Sequence, residues 1–269
     1  MTNALDLDAY FDRIGWGEST TPGYDTLAGL VRAHMAHIPF ENFDVLLGRP
    51  PRLDLDGLQA KLVTARRGGY CFEQATLFAA VLEAIGFAPR RHSARVVLQA
   101  PRTESPRTHM FLTVPLAEGT FVVDPGFGSL APRAPVPLGD EMGAIADQAS
   151  HWLTRNGAYW TLHVRSGDEV IDAWVTTLED DHPADFVMAN HFTATHPGSP
   201  FVNRILLRAL RGDGRVSVMN RDLTMVEGNA TKTSQLADRA ALRQVVATHF
   251  GFDLPEIETL RVPSIPEWR

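Results

Sequence analysis

The sequence predicts an α+β fold, because two different hydrophobic repeats occupy successive parts of the chain. As far as residue 86, apolar residues recur at the three- and four-residue spacing of amphipathic helices. Beyond Pro89 they alternate with polar residues, which is typical of strands with one buried face. A turn cluster at residues 196–200 separates this stretch from a final segment that mixes both patterns. We therefore expect three parts: residues 1–86, helical; residues 87–197, mainly sheet; and residues 198–269, mixed.

The individual elements follow from these repeats and from the prolines and glycines between them. Helices are expected over residues 5–14, 22–38, 55–65, 71–85, 183–190 and 236–250. Strands are expected over residues 91–98, 108–114, 120–124, 159–164, 170–177, 205–210 and 216–219. Residues 129–150 are rich in proline, glycine and alanine and have no steady period, so we predict a long connecting loop there.

The composition indicates a globular protein with ample core. The chain has 269 residues, of which 44% are hydrophobic. Nowhere do eighteen apolar residues run together, so no membrane-spanning helix is expected. Residues 1–6 lack the basic and then apolar pattern of a secretory signal. The single cysteine permits no internal disulfide, and we therefore expect a cytoplasmic location.

Charge and motif content exclude several classes of function. A net charge of −7 argues against broad nucleic-acid binding, which needs a basic surface. The sequence has no Walker A motif, dinucleotide glycine fingerprint, HExxH or paired CxxC. His34 and His37 lie three apart on a predicted helix and could share a metal, but no third ligand stands nearby. Surface or capping histidines are the preferred interpretation, and no metal site is expected.

Cys71, the only cysteine, follows the glycine pair Gly68-Gly69 and begins a predicted helix. Peptide dipoles at a helix N-terminus favour a thiolate over a thiol, and Arg66 and Arg67 stand close in sequence. A lone cysteine is nevertheless more often a small buried hydrophobic residue than a nucleophile. The choice depends on whether a histidine and a carboxylate serve this sulfur.

His109 and Asp124 are the best candidates for those two groups, because one predicted hairpin joins them. Each also has an ordinary interpretation, as a half-buried strand histidine and a turn-forming aspartate. A turn of Glu118-Gly119 would put His109 opposite Gly128, whereas a wider turn centred near Leu116-Ala117 would put it opposite Asp124. The spacing leaves both registers open.

Five short motifs, taken in order, resemble the arylamine N-acetyltransferase family. They are Pro39-Phe40-Glu41-Asn42, Arg67-Gly68-Gly69-Tyr70-Cys71-Phe72-Glu73, Thr108-His109, Val123-Asp124-Pro125-Gly126-Phe127-Gly128, and a closing segment from Leu236-Ala237-Asp238-Arg239 to His249-Phe250-Gly251. The resemblance extends from about residue 10 to about residue 260. Five motifs at suitable intervals are specific together, although each is weak alone.

The resemblance implies both an architecture and a site. The architecture is a helical first domain, a β-barrel second domain and an α/β third domain that acts as a lid, with a papain-like or transglutaminase-like catalytic core. By motif position, the catalytic triad is Cys71, His109 and Asp124. The residues implied to line the acceptor pocket are Phe40, Phe127 and Phe201, and those implied along the coenzyme channel are Thr108, Gly126 and Gly128.

The resemblance also implies a reaction, the ping-pong transfer of an acetyl group. Acetyl-CoA would acetylate Cys71, and an aromatic amine, hydrazine or N-hydroxyarylamine would then take the acetyl group. One residue departs from the family: Pro125 stands where a valine is usual. Because proline removes a backbone donor and fixes φ, the affinity or preference for the donor could differ.

Three alternatives stay open on the sequence. A thiol hydrolase or transglutaminase-like enzyme would use the same triad with water or a lysine as the second substrate. A non-catalytic binder of small molecules would keep the aromatic pocket without needing Cys71. An amide-forming acyltransferase of secondary metabolism would use another acyl donor. The sequence names neither the physiological acceptor nor the oligomeric state.

Overall fold

The computed structural model describes residues 5–139, 144–146, 149–212 and 214–268. The first part of the chain is helical, as predicted, and surrounds one buried helix. Its elements are α1 (Leu7–Ile14), α2 (Tyr24–His37), α3 (Phe43–Leu46), α4 (Leu55–Leu58), a π-helical continuation of α4 (Gln59–Thr64), and α5 (Cys71–Ala84). Apolar side chains cover most faces of α5, so this helix is the centre of the first hydrophobic core.

The middle of the chain forms an antiparallel sheet of eight strands within the described residues. The strands are β1 (Arg90–Val96), β2 (Arg107–Leu116), β3 (Gly119–Val123), β4 (Val136–Pro137), β5 (Ala144–Ala146), β6 (Ala149–Asn156), β7 (Tyr159–Ser166) and β8 (Glu169–Thr176). Their order is β4-β3-β2-β1-β8-β7-β6-β5, and β4 lies against β6. The sheet therefore curls into a nearly closed barrel, in agreement with the implied architecture.

Two helices follow the barrel, and a second sheet follows them. These elements are α6 (Pro183–Thr195), α7 (Pro200–Asn203), β9 (Leu206–Arg211), β10 (Gly214–Met219), β11 (Asp222–Glu227), β12 (Ala230–Gln235) and α8 (Arg239–Val245), which continues as a π-helix (Val246–Phe250). The four strands pair in chain order. Their core also takes in Phe43 of α3, whose ring lies edge-on to Phe252 at 6.3 Å between centroids. The predicted domain boundaries stay predictions.

The structure corrects the sequence prediction in two stretches. Residues 129–150 are not one long loop, because they hold the short strands β4 and β5 and the start of β6; residues 140–143 and 147–148 of that stretch lie outside the described residues. The C-terminal part has two further strands, β11 and β12, where only a hairpin and a helix were expected. The side chains of β12 are exposed, so this strand has no alternation of buried and polar residues to reveal it.

His34 is also placed differently from the prediction. Its side chain is wholly buried, with Nδ1 2.7 Å from the Tyr10 hydroxyl, so the surface interpretation is wrong for this residue. Burial lowers the pKa of His34 to about 3, which keeps the ring neutral. His37 lies at the end of α2, with Nδ1 2.9 Å from the carbonyl of Ala33.

Among the described residues, no helix is both long enough and apolar enough to cross a membrane.

Candidate active site

Cys71 is the first residue of α5 and is buried, and the backbone before it is tightly held. A parallel bridge joins Gly69 to Phe40, and the Gly69 N–H donates to the Pro39 carbonyl. A Cβ added at Gly68 would lie 2.0 Å from the Pro39 oxygen, a distance that no side chain could tolerate. The glycine at position 68 is therefore needed for a close approach between two backbone segments.

The loop after β3 packs directly against Cys71. A Cβ added at Gly126 would lie 2.6 Å from the Cys71 Cα and 3.2 Å from its Cβ. Both are atoms close to the main chain, so a larger residue could not be accommodated by rotating a flexible side chain. Asp124 and Cys71 are therefore held by backbone segments in contact with each other.

His109 lies on β2 next to an irregularity in the sheet. Ala94 of β1 pairs with His109, but the next residue, Arg95, pairs with Arg107, so Thr108 is an extra residue in the ladder. Such a bulge changes the direction of neighbouring side chains. The Thr108 carbonyl lies 3.9 Å from Cys71 Sγ, which brings this bulge beside the thiol.

His109 and Asp124 are in direct contact, although neither predicted register is the one observed. Leu116 pairs with Gly119 and Leu112 with Val123, so the turn is centred on Ala117-Glu118, between the two alternatives. Asp124 stands one residue beyond the last strand pair. The side chains close the remaining gap, with 2.7 Å between His109 Nε2 and Asp124 Oδ2.

Trp174 is a further member of this group and was not found from the sequence. Its indole N–H donates to Asp124 Oδ2 over 2.9 Å, and its ring stacks on Phe111 at 4.4 Å between centroids. Both Trp174 and Asp124 are fully buried. A tryptophan in a predicted strand was a usable signal, because a buried indole N–H requires an acceptor.

Electrostatics favour a protonated imidazole at His109. Burial acts to lower the pKa of His109, but the Asp124 carboxylate and its hydrogen bond, helped by a hydrogen bond with Cys71, raise the pKa to about 10. Since Nε2 is engaged by Asp124, Nδ1 is the nitrogen left for the thiol. The arrangement can hold an imidazolium between a carboxylate and a sulfur.

The predicted aromatic residues surround the Cys71 region on two sides. Phe40 and Phe201 lie 6.2 Å apart between ring centroids, and Tyr70 is 5.4 Å from Phe201. Phe127 lies next to His109, with 4.8 Å between the two ring centroids. Phe40, Phe127 and Phe201 are each only partly buried.

The residues implied to line a coenzyme channel lie close to Cys71 or Phe40. Thr108 and Gly126 flank Cys71 as described above. Gly128 has a φ of +66°, which favours glycine, and a Cβ added there would lie 3.8 Å from the Phe40 ring. The structure brings all nine predicted site residues to the start of α5, the loop after β3 and the segments next to them.

A buried charge network supports the loop before Cys71. Arg67 donates to Glu41 at 2.7 Å and Asp44 at 2.8 Å, and Lys61 contacts Asp44 and Glu73, each at 2.7 Å. Glu73 in turn accepts from the Tyr70 N–H at 3.1 Å. Burial raises the pKa of Glu73 to about 7. The negative charges of Glu41 and Asp44 also raise this pKa, whereas the positive charge of Lys61 lowers it.

A separate cleft of about 890 Å³ is lined in part by Met110, Phe186 and Asn190. Met110 points away from His109, because successive side chains of a strand face opposite sides of the sheet. None of the predicted site residues lines this cleft.

Comparison with known proteins links this geometry to one family. The sequence profile of a family described as N-acetyltransferase matches residues 24–259. The arylamine N-acetyltransferase of Escherichia coli (strain K12) is 36% identical over 252 residues, which cover 93% of this chain and 90% of the relative. The arylamine N-acetyltransferase of Mycobacterium tuberculosis (strain ATCC 25618 / H37Rv) is 38% identical over 268 residues, with 94% and 92% covered.

A solved structure gives the same result. Mycobacterium marinum arylamine N-acetyltransferase in complex with CoA superimposes with a TM-score of 0.88 at 33% identity, covering 94% of each chain. Sequence and fold together therefore define an enzyme of the acyltransferase class. The chain belongs to the arylamine N-acetyltransferase family, and the predicted resemblance is confirmed.

Proposed function

We propose that this enzyme transfers an acetyl group from acetyl-CoA to an arylamine, arylhydrazine or N-hydroxyarylamine through a thioester on Cys71. The main support for the proposal is the buried imidazole of His109, which is hydrogen-bonded to Asp124 on one side and interacts with Cys71 on the other. The complex of the M. marinum relative with CoA supports acetyl-CoA as the donor.

In the first half-reaction, the Cys71 thiolate attacks the carbonyl carbon of the acetyl thioester. Backbone N–H groups of the first turn of α5 have no intrahelical acceptor and are available to stabilise the oxyanion. The bond from the acetyl carbon to the CoA sulfur breaks, and His109 gives its proton to that sulfur. The products are acetyl-Cys71, neutral His109 and free CoA.

In the second half-reaction, the amine nitrogen attacks acetyl-Cys71. Neutral His109 accepts the proton that the amine loses, while Asp124 stabilises the imidazolium that results. The bond from the acetyl carbon to Cys71 Sγ breaks, which releases the amide and restores the thiolate–imidazolium pair. Phe40, Phe127 and Phe201 are proposed to hold the aryl group, because flat faces gain from burial and stacking.

The proposal is tested by the intact mass of the protein after mixing with acetyl-CoA and no acceptor. One added acetyl group is expected, and peptide mapping should locate it on Cys71. Adding an arylamine should then remove the acetyl group and yield one equivalent of amide. No acetylation of an active preparation, or acetylation at another residue, would overturn the covalent route.

Hydrolysis is the competing fate of acetyl-Cys71, and we propose that the C-terminal part suppresses it by covering the site. Phe201 of α7 comes from this part and packs against Tyr70 next to Cys71. Phe201→Ala should open the site to water, so that the ratio of amide to free acetate falls. Phe192→Ala, at an exposed position on α6 that stacks on His196, is the matched control. An unchanged ratio in Phe201→Ala would show that this ring does not exclude water.

A further inference from the structure

Arg208 of β9 is a buried cation whose contacts do not account for its charge. Its exposed fraction is 6%, and among the described residues its side chain has one hydrogen-bond partner, the carbonyl of Gly128. Its Nε is buried and has no partner in the part of the chain that the structure describes. A buried guanidinium is ordinarily paired with a carboxylate or another anion, because an unpaired buried charge is costly.

The backbone places Arg208 beside the proposed site. Phe40 bridges Gly69 on one side and Arg208 on the other, with backbone hydrogen bonds of 2.8 and 2.9 Å between Phe40 and Arg208. Side chains of directly paired antiparallel residues point to the same face, so the guanidinium lies on the side of the Phe40 ring. That ring also faces Gly128.

Arg208 is also within reach of a group bound at Cys71. Gly126 touches Cys71, and Gly128, which accepts from Arg208, lies only two residues further on, a span of at most about 7 Å. A small substituent on a substrate could therefore extend from Cys71 to the guanidinium.

Neighbouring charges strengthen the preference of this position for an anion. Burial, together with the positive charges of Arg215 and Arg133, lowers the pKa of Arg208 to about 9. An anion bound there would relieve both the burial of the charge and the repulsion among these guanidinium groups.

We propose that Arg208 recognises a carboxylate carried by a substrate that binds beside Phe40 and Gly128. The guanidinium would pair with the carboxylate through charge-assisted hydrogen bonds. This inference rests on the proposed function, since it concerns the substrates of the same site. The carboxylate has two chemical sources, a dicarboxylic acyl group on the donor or an acid group on the aromatic amine.

The test compares substrates of similar size with and without this charge. For the donor, malonyl-CoA is compared with 3-methylbutanoyl-CoA, in which an isopropyl group of similar size replaces the carboxylate. For the acceptor, 4-aminobenzoate is compared with 4-isopropylaniline, with acetyl-CoA as the donor. The wild-type enzyme should have the higher kcat/KM for the charged member of one of these two pairs. The pair that shows this preference tells whether the carboxylate belongs to the acyl donor or to the acceptor amine.

Variants then assign that preference to Arg208. Arg208→Met should reduce the charged-to-uncharged ratio of kcat/KM by roughly tenfold to hundredfold, and Arg208→Lys should restore part of it. Arg243→Met removes an arginine of the same part of the chain that is paired at the surface with Asp253 and Glu258, and it should change the ratio less than twofold. Circular dichroism checks that each variant is folded.

The outcomes separate this inference from the proposed function. No preference for either charged substrate in the wild-type enzyme would overturn the role of Arg208, even if acetyl-CoA acetylates Cys71. A parallel loss with all donors and acceptors in Arg208→Met would indicate a coenzyme-binding or structural role and would also overturn it. Failure of acetyl-CoA to acetylate Cys71 would refute the proposed function instead.

Discussion

Trp174 and His109 donate hydrogen bonds to the same oxygen of Asp124, at 2.9 and 2.7 Å. The other oxygen, Oδ1, is buried and has no hydrogen-bond partner among the described residues. The orientation of the carboxylate toward His109 therefore depends on the indole N–H.

Trp174→Phe should slow the acetylation of Cys71 by roughly tenfold to hundredfold, because a hydrogen bond to a charged group contributes about 1.5–3 kcal/mol. Phenylalanine keeps the stack on Phe111, so the fold should survive. Rapid-mixing measurement of CoA release over a range of pH tests this prediction. The same pH profile should show a pKa of His109 that differs from the value in the wild-type enzyme. Trp152→Phe, on β6 of the same barrel, is the control. An equal loss in both variants would mean that the effect is one of packing.

Asp124→Asn should slow the acetylation of Cys71 by several orders of magnitude while the protein stays folded. An amide cannot supply the negative charge that raises the pKa of His109, and it stabilises the wrong tautomer of the ring. NMR of labelled histidine should show the pKa of His109 falling well below about 10, and single-turnover assays give the rate. His109→Gln should be comparably slow, because such groups act as a unit. Near-normal rates in Asp124→Asn would refute the assigned role of this carboxylate.

Glu73 should make stability depend on pH near neutrality. Its pKa is raised in the folded protein to about 7, from an ordinary value of 4.5. Between these values the folded state holds a proton that the unfolded state has lost. The stabilisation of the folded state by this proton is therefore complete below pH 4.5 and disappears as the pH rises to about 7.

Glu73→Gln removes this titration, so the variant should gain stability relative to the wild type as the pH rises. The difference in unfolding free energy between Glu73→Gln and the wild type should change by about 2–3 kcal/mol from pH 5 to pH 8. Denaturant unfolding at both values measures it. A difference that does not vary with pH would show that Glu73 is ionised throughout.

Gly126→Ala should reduce activity by about a hundredfold, because an added Cβ would lie 2.6 Å from the Cys71 Cα and would displace Cys71. Steady-state kinetics and the rate of Cys71 alkylation by iodoacetamide measure the effect. Gly17→Ala is the matched control, since a Cβ added there meets nothing within 4 Å. Normal kinetics in Gly126→Ala would show that the loop can move away from Cys71 at little cost.

Much of this architecture could be predicted from the sequence, because the helices and long strands have clear hydrophobic periods. The short strands β4 and β5 span too few residues to show a period, and β12 has exposed side chains throughout. Strong local signals, such as Gly68-Gly69 before Cys71, indicated the segment proposed to hold the nucleophile.

Residues of the candidate site could be proposed from the sequence, but their geometry could not. His109 and Asp124 were chosen correctly as neighbours, yet the hairpin register could not be fixed, because a shift of two residues leaves the same side chains on the same face. Trp174 and Arg208 were missed for another reason. Their contacts with Asp124 and Gly128 join residues 50 and 80 positions apart in sequence, and no local pattern encodes such pairs.

The position of Phe43 has a consequence for synthesis of the protein on the ribosome. Phe43 is synthesised early, but its ring is buried in the core formed by residues 205–268. During translation, Phe43 therefore stays uncovered until nearly the whole polypeptide has emerged. The loop that holds Arg67 and the segment before Cys71 lies next to Phe43 in the buried charge network. A prematurely terminated chain would carry Cys71 without its finished surroundings, so the candidate active site is complete only when translation is almost finished.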